Sequence, residues 1–365
     1  MAALALVGPE LEVKRGACIW IRDGVIESIE SQATCPPDRL GGVTLGALPQ
    51  PANAHIHSAD FAFPEYAVDL PLEEAVAPPA GAKHRLLAAT PTEALVRAIR
   101  ALYRWAWRLG TGLLVDFREG GGEGCRLAER AASTLPPGLE VLVLGRPGPG
   151  WPEGCQGAGL SSPLDYSPEE LRAIAATMKP SMAHVAETRE ARARGDLELA
   201  LEAGFDALVH GVHLSEEDLA LLAERGTPLV LCPRSNLWHS TGLPPVPQAW
   251  EAGVTTGIGT DNAGWFTPDI WAEASTLAYI ARLRGGPRVA ARPVLEALFV
   301  GGYRAAGLEP RLIEEGRPAH LVLVALEGRG ILEALDAEWA LVKRVDAGSI
   351  LARIDGCGLS RLGLA

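Results

Sequence analysis

Histidine and acidic side chains recur at the ends of apolar, strand-like runs of this chain. The segments are His55-Ile56-His57, His184 to Glu187, His210-Gly211 and Gly259-Thr260-Asp261. Imidazole nitrogens and carboxylate oxygens are donors that Zn²⁺ prefers, and hydrolysis also needs a carboxylate that moves protons without binding the metal. The set offers three histidines and an aspartate for a cation, and it leaves a glutamate and a fourth histidine for chemistry.

The spacing within the segments sets conditions on this interpretation. His55 and His57 are two residues apart, so on a strand both imidazoles can face the same side. Glu187 can reach that side only if the strand ends near His184 and the chain turns. Each residue also has a structural reading, such as a first-turn helix acid or a helix cap, but the combination at four strand ends favours a metal site.

Composition limits the class of protein. The 365 residues suffice for one large barrel plus a small domain, or for two ordinary domains, and 48% of them are hydrophobic, as in a folded core. The net charge of −12 disfavours nucleic acids and anionic membranes as partners. No apolar run has the length of a membrane span, and no signal peptide is recognisable. We expect a cytoplasmic protein with a small-molecule substrate. The sequence leaves open whether the protein forms a homo-oligomer.

The cysteines are scattered and form no CxxC pair. In a chain of this size we expect neither a disulfide framework nor a structural zinc knuckle.

Strand-like runs alternate with helical stretches through the middle of the chain, which is the pattern of a parallel sheet with helical crossovers. Ser167 and Ser215 each begin a segment with the signature of a capped helix, and Gly226 is placed to end the second one. Eight strand–helix units predict a closed (β/α)₈ TIM barrel of the α/β class. The runs lie at about 47–57, 112–117, 141–146, 156–162, 181–187, 207–211, 228–233 and 255–261.

The two ends of the chain differ from the middle. Asp23-Gly24 between two β-rich runs predicts a hairpin, and the runs Leu321 to Val324 and Ala340 to Val342 also have the character of strands. We therefore predict a small β-domain built from residues 1–48 and 317–365, with residues 49–316 forming the barrel. The long segment 58–90 after the first barrel strand predicts a lid, in which we expect Lys83 and His84 to be exposed.

Five segments together resemble the amidohydrolase superfamily, in its deaminase and chlorohydrolase-like branch. They are Pro51 to His57, His184 to Glu187, Val209 to Leu214, Cys232 to Asn236 and Gly257 to Asp261. The resemblance spans nearly the whole chain, and its motifs are specific when taken together. Two departures stand out. His320 follows Ala319 where the family often has Asp, and the fourth strand run 156–162 has no lysine of the kind that bridges two metals.

The resemblance implies roles for the site residues. One divalent metal, Zn²⁺ or else Fe²⁺, Mn²⁺ or Ni²⁺, would be held by His55, His57, His184 and Asp261. Glu187 would be the proton shuttle, His210 would polarise or orient the substrate, and Asp261 would also help to take a proton from the attacking water. The residues that we predict to bind substrate are Arg118, Glu119, Arg146 and Trp238.

The implied reaction is hydrolysis of a non-peptide C–N bond, with deamination of an amino-substituted heterocycle or a related amidine as the main interpretation. Loss of chloride or hydrolysis of an amide at the same site is the first alternative. The second is a barrel without catalysis that binds metal for structure or sensing. The presence of Glu187 and His210 favours an enzyme, because neither residue is needed merely to hold a metal.

Overall fold

The computed structural model describes residues 2–31, 39–40, 42–356 and 358–362. Two sheets organise this part of the chain. The strands are β1 Ala2–Val7, β2 Glu12–Arg22, β3 Val25–Ser31, β4 Arg39–Leu40, β5 Val43–Pro49, β6 Ala52–His57, β7 Leu113–Arg118, β8 Glu140–Gly145, β9 Gly157–Leu160, β10 Ser181–Val185, β11 Ala207–His210, β12 Leu229–Leu231, β13 Thr256–Ile258, β14 Asp261–Asn262, β15 His320–Ala325, β16 Ile350–Asp355 and β17 Gly358–Arg361.

The strands β6 to β14 form a closed (β/α)₈ barrel, which confirms the predicted fold class. Neighbours along the chain pair in parallel, and β14 closes the ring by pairing with β6 through Asp261 opposite Ile56. The eighth barrel strand is interrupted, since β13 and β14 flank Gly259-Thr260. A side chain at Gly259 would come within 2.6–2.8 Å of His55, so this glycine lets the last strand approach the first.

The first predicted run began too early. Residues 47–49 belong to β5, which pairs with β1 and β15 in the other sheet, and the barrel begins only at β6. Pro51 lies between the two strands, and the apolar character continues across it because both strands are buried. Periodicity alone therefore could not separate them.

Helices cover the outside of the barrel, as the crossover pattern predicted. Capping boxes begin α5 at Ser167 and α8 at Ser215, and Gly226 ends α8 with a φ of 65°, so these three sequence signals are confirmed. The α-helices are α1 Leu72–Val76, α2 Ala82–Ala89, α3 Thr92–Arg108, α4 Gly121–Ala132, α5 Pro168–Thr177, α6 Arg189–Ala193, α7 Asp196–Ala203, α8 Glu216–Arg225, α9 Pro233–Trp238, α10 Val246–Glu251, α11 Ile270–Gly285, α12 Arg292–Glu296, α13 Gly302–Ala305 and α14 Ala337–Arg344.

The second sheet joins strands from both ends of the chain in the order β17-β16-β15-β5-β1-β2-β3, with β4 beside β5. The small β-domain is therefore present, while its boundaries at 1–48 and 317–365 stay a prediction. The hairpin at Asp23-Gly24 is confirmed, because both residues have positive φ between β2 and β3. The strand expected at Ala340 to Val342 is wrong: Asp336 caps a helix there, and these three apolar residues are buried within α14.

A buried ion pair joins the small sheet to the barrel. Arg353 of β16 is fully buried, and its Nε lies 2.6 Å from Oδ2 of Asp355. The same guanidinium donates to the carbonyl oxygen of Thr111 in the barrel at 3.1 Å. Gln50, between β5 and β6, donates to Oδ1 of Asp355 at 2.8 Å. The carboxylate of Asp355 thus accepts hydrogen bonds from Arg353 in the small sheet and from Gln50 at the junction with the barrel.

A disulfide connects Cys125 of α4 to Cys155 in the loop before β9. The sequence favoured no disulfide framework, so this bond corrects that expectation. The two residues are 30 positions apart in sequence, and this spacing belongs to no known cysteine motif. The packing of α4 against β8 brings them together. Within the described ranges, no helix is both long and apolar enough to cross a membrane.

Candidate active site

The residues predicted to do chemistry meet at the carboxyl ends of the barrel strands, where barrel enzymes place their reactive groups. His55 and His57 are on β6, His184 is on β10, His210 ends β11 and Asp261 begins β14. His210 and Asp261 have positive φ angles of 75° and 59°. This left-handed conformation is uncommon for residues with a Cβ and is found at functional sites.

Three imidazoles and one carboxylate converge on a common point. The ligand atoms of His55, His57, His184 and Asp261 all lie within 4.8 Å of one another. Nε2 of His55 is 3.2 Å from Oδ1 of Asp261 and 3.2 Å from Nε2 of His184, and Nε2 of His57 is 3.6 Å from the same carboxylate oxygen. Ser235 donates a short hydrogen bond to the other oxygen of Asp261, which orients the carboxylate.

This donor set fits a divalent cation. Burial lowers the pKa of His55, of His184 and of His57, the last to about 4 with a further contribution from Lys83, so the imidazoles are neutral. His184 donates from Nδ1 to the carbonyl oxygen of Leu160 at 2.6 Å, which leaves its Nε2 lone pair facing His55. Nitrogen lone pairs and a carboxylate that face one another are electron-rich, and a cation bound between them would stabilise this arrangement, as at a His/Asp metal site.

Glu187 reaches the site because the chain turns directly after β10. Ala186 has a φ of 48°, and its amide donates to the buried carboxylate of Asp196 at 2.6 Å. This turn satisfies the condition set by the sequence spacing. Burial, followed by the charge of Asp261, raises the pKa of Glu187 to about 8. A carboxyl group with such a pKa can hold and deliver a proton near neutral pH.

His210 faces Glu187 with one ring nitrogen and accepts a hydrogen bond from Asn236 with the other. Its Nε2 lies 3.7 Å from Oε1 of Glu187, and the side-chain amide of Asn236 donates to its Nδ1 at 3.1 Å. Burial lowers the pKa of His210, so the ring is neutral. With Nδ1 accepting a hydrogen bond, the proton lies on Nε2, and His210 can donate to a group in the cavity.

A cavity of about 280 Å³ opens over these residues. Of the four residues predicted to bind substrate, Arg146 and Glu119 line it. Glu119 also contacts His57 and Lys83. It therefore lies closer to the proposed metal ligands than a role in substrate binding implied. Arg118 and Trp238 are not among the lining residues. Arg118 is buried against Asp116 and Glu119, and the side chain of Trp238 is half exposed on α9.

Several residues of the site were missed or misjudged from the sequence. Lys83 was expected in solvent, yet it is 3% exposed and paired with Asp60 and Glu119; this expectation is wrong. His84 is half-buried and bonded to the carbonyl oxygen of Val76. The segment 58–90 forms a short 3₁₀ turn, α1 and α2 beside the cavity, and its role as a mobile lid stays a prediction.

Aromatic side chains form part of the cavity wall. Trp265 lines the cavity, stacks on Tyr66 at 4.5 Å and donates from its indole nitrogen to the carbonyl oxygen of Tyr66 at 2.7 Å. His239 meets the edge of the same indole at 4.6 Å. Neither Trp265 nor His239 was among the residues that the sequence predicted to bind substrate.

Comparison with known proteins assigns the family. The model of the amidohydrolase family matches residues 154–348. A putative aminohydrolase of Methanothermobacter thermautotrophicus is 32% identical over 346 residues, covering 87% of this chain and 89% of that protein. A protein of Archaeoglobus fulgidus named 5-methylthioadenosine/S-adenosylhomocysteine deaminase 2 is 33% identical over 216 residues, 53% of this chain and 50% of its own.

Solved structures share the fold at lower identity. An adenosine deaminase from Xanthomonas campestris with bound zinc has a TM-score of 0.77 at 19% identity, over 98% of this chain and 91% of its own. An atrazine chlorohydrolase from Arthrobacter aurescens complexed with zinc has a TM-score of 0.79 at 16% identity, over 98% and 93%.

The fold and the site define a barrel hydrolase that uses a divalent cation. The chain belongs to the amidohydrolase family. It is a metal-dependent hydrolase of non-peptide C–N bonds, and the His/Asp donor set fits a divalent metal ion as its cofactor.

Proposed function

We propose that this chain removes the exocyclic amino group of an adenine-type ring carried by a small molecule. The observation that carries the proposal is the trio Glu187, His210 and Asp261, whose ligand atoms lie within 4.8 Å of one another beside the histidines. Deaminase names among the relatives support the substrate class, since 5-methylthioadenosine and S-adenosylhomocysteine both carry an adenine ring.

The proposed ligand set is His55, His57, His184 and Asp261. When bound, the cation supplies Lewis-acid chemistry and lowers the pKa of water that it holds from 15.7 towards about 7. Asp261 accepts a proton from the attacking water, since its Oδ1 faces the common point of the four ligands. The absence of a lysine from β9 (Gly157–Leu160) supports a single metal.

The remaining steps belong to Glu187 and His210. As water adds to the ring carbon that carries the amino group, Glu187 donates its proton to the neighbouring ring nitrogen. His210 donates a hydrogen bond from Nε2 to the oxygen that becomes the carbonyl. The proton taken from water then passes from Asp261 to the amino nitrogen, and the C–N bond breaks and ammonia leaves as the hydroxyl proton of the adduct returns to Glu187. One water is consumed, and the amino group is replaced by a carbonyl oxygen.

Arg146 and Trp265 are proposed to bind substrate. Arg146 lines the cavity, and a guanidinium there suits an anionic group on a substrate. Trp265 is half-buried and fixed by Tyr66, so it can contact a planar ring at low entropic cost. A cytoplasmic location and a homo-oligomeric state stay predictions.

The decisive experiment measures ammonia release from a panel of substrates by the zinc-loaded protein. The panel contains adenosine, 5-methylthioadenosine, S-adenosylhomocysteine, aminopyrimidines, pterins and aminotriazines, with a chlorinated triazine assayed for chloride. The proposal expects the highest kcat/KM with an adenine-bearing compound. Chloride release, or turnover confined to the other rings, would contradict it.

A further inference from the structure

Lys83 is a buried lysine beside the ligand set, and none of the roles above uses it. It lies on α2, within the segment 58–90, and its side chain is 4% exposed. Its ammonium nitrogen is 2.9 Å from Oδ2 of Asp60 and 2.5 Å from Oε1 of Glu119. Burying an ammonium is costly unless carboxylates compensate it, so α2 must dock on both acids to place this residue.

Glu119 links the lysine to a metal ligand. The same oxygen that meets Lys83 lies 3.0 Å from Nδ1 of His57, whose Nε2 faces Asp261. A histidine that offers Nε2 to a metal carries its proton on Nδ1, and a carboxylate that accepts this proton fixes both the tautomer and the ring orientation. Glu119 is placed to do this for His57.

The ammonium also holds two buried acids together. Asp60 is fully buried in the turn after β6, and Glu119 is 8% exposed after β7. Without Lys83 these like charges would repel each other at low dielectric. Arg118 is the other cation near Glu119, at 3.6 Å from its second oxygen, so Glu119 would be drawn towards Arg118 and away from His57.

We propose that Lys83 is a positioning residue for His57, acting through Glu119, and that it couples docking of the segment 58–90 to metal affinity. The inference rests on the proposed ligand set and adds to it a residue that is not one of the four proposed ligands. Because such coupling is reciprocal, the metal should in turn favour the docked segment.

The test is Zn²⁺ affinity of the full chain, measured by competition with a chromogenic chelator. Replacing Lys83 with Met keeps the aliphatic stem and removes the charge. Loss of a partner that orients a ligand typically weakens metal binding by about 10–100-fold, and we expect a loss in this range. Lys83→Arg keeps a cation and should retain more of the affinity than Lys83→Met.

Lys179→Met is the matched control, because Lys179 also pairs with an aspartate, Asp206 at 2.7 Å, but is half exposed and remote from the ligands. It should bind Zn²⁺ as the wild type does. As a second readout, saturating Zn²⁺ should slow proteolytic cleavage within 58–90 in the wild type, and this protection should shrink in Lys83→Met. Wild-type affinity and protection in Lys83→Met would overturn the inference.

If Lys83→Met does not fold, Glu119→Gln carries the test, since it is isosteric and removes only the charge that Lys83 and His57 share. It should weaken Zn²⁺ binding about tenfold, at the low end of the same range, and unchanged affinity would overturn the inference. A wild type that fails to bind Zn²⁺ would overturn the ligand set as well. A wild type that binds Zn²⁺ but deaminates nothing overturns the proposed reaction alone, because affinity is measured without substrate.

Discussion

The side-chain amide of Asn236 donates to Nδ1 of His210 across 3.1 Å, and both groups are buried. This hydrogen bond places the proton of the imidazole on Nε2, the nitrogen that faces Glu187 and the cavity. The neutral ring is therefore a hydrogen-bond donor to substrate rather than a base. A residue that does not itself face the reacting atoms thus decides what His210 can do.

Replacing Asn236 with Asp should reverse this tautomer, because a carboxylate would accept a proton from Nδ1 and leave Nε2 as an acceptor. We expect kcat to fall by about 10²-fold, the scale for losing one donor to a developing oxyanion. Metal content should not change, since the side-chain amide of Asn236 bonds His210, which is not one of the proposed ligands. Steady-state kinetics and elemental analysis of the same preparation check both points, and an unchanged kcat would remove His210 from the role of donor.

The purified protein should contain about one divalent metal per chain, as expected of a single His/Asp site. His55→Ala and His57→Ala should each abolish tight binding, because each removes one of four donors. His213→Ala is the control, since His213 bonds the carbonyl oxygen of Thr241 outside this set. Elemental analysis after dialysis gives the stoichiometry. Two metals per chain, or normal loading of both variants, would contradict a mononuclear site.

Glu187→Gln should keep the metal and lower turnover by about 10²-fold or more, the usual scale for loss of a general acid–base. The amide keeps the shape of the side chain but cannot deliver a proton. Glu190→Gln removes a carboxylate at the rim of the same cavity and should have a much smaller effect. Equal kcat values for Glu187→Gln and the wild type would remove Glu187 from the role of proton shuttle.

Stability should depend on pH through Asp355. Burial opposes its ionisation, but hydrogen bonds from His320 and Arg353, the charge of Arg353 and the hydrogen bond from Gln50 outweigh that effect and lower its pKa. A depressed folded-state pKa stabilises the fold above the unfolded value of about 3.9, and this stability is lost as pH falls through the folded value.

Asp355→Asn should therefore lower the free energy of unfolding at pH 7 by about 3 kcal/mol, the scale for leaving a buried arginine unpaired. The difference from the wild type should shrink below about pH 4, where the unfolded wild-type carboxyl takes up its proton. Urea unfolding curves at pH 7, 4 and 3 measure this. A difference that is constant with pH would show that packing, and not the charge, is responsible.

The cluster of histidines and Asp261 could be predicted because barrel enzymes place reactive groups at the carboxyl ends of their strands. His55, His184, His210 and Asp261 each follow or end an apolar run, and a parallel barrel brings such ends to one face. The turn at Ala186 was the one condition that the sequence left open. Its left-handed conformation depends on the side chain of Asp196, a contact ten residues away that no local pattern shows.

The remaining features depend on contacts made by folding. Lys83 lies in a segment with prolines and charges, which locally favours exposure, and only the two acids from other segments make its burial tolerable. At Ala340 to Val342, three apolar residues fit a strand as well as a helix, and the cap from Asp336 together with packing decides for the helix. The disulfide between Cys125 and Cys155 likewise depends on the packing of α4 against β8, which no local sequence pattern shows.

The closure of the barrel by Asp261 against the strand of His55 has a consequence for biosynthesis. Synthesis proceeds from the amino terminus, so the two histidines of β6 leave the ribosome long before the carboxylate that joins them. Until the final barrel strand emerges, a nascent chain holds only the three imidazoles of the proposed ligand set. With that ligand set, tight loading of the metal waits for the last barrel strand, and a chain truncated before residue 261 cannot complete the four donors.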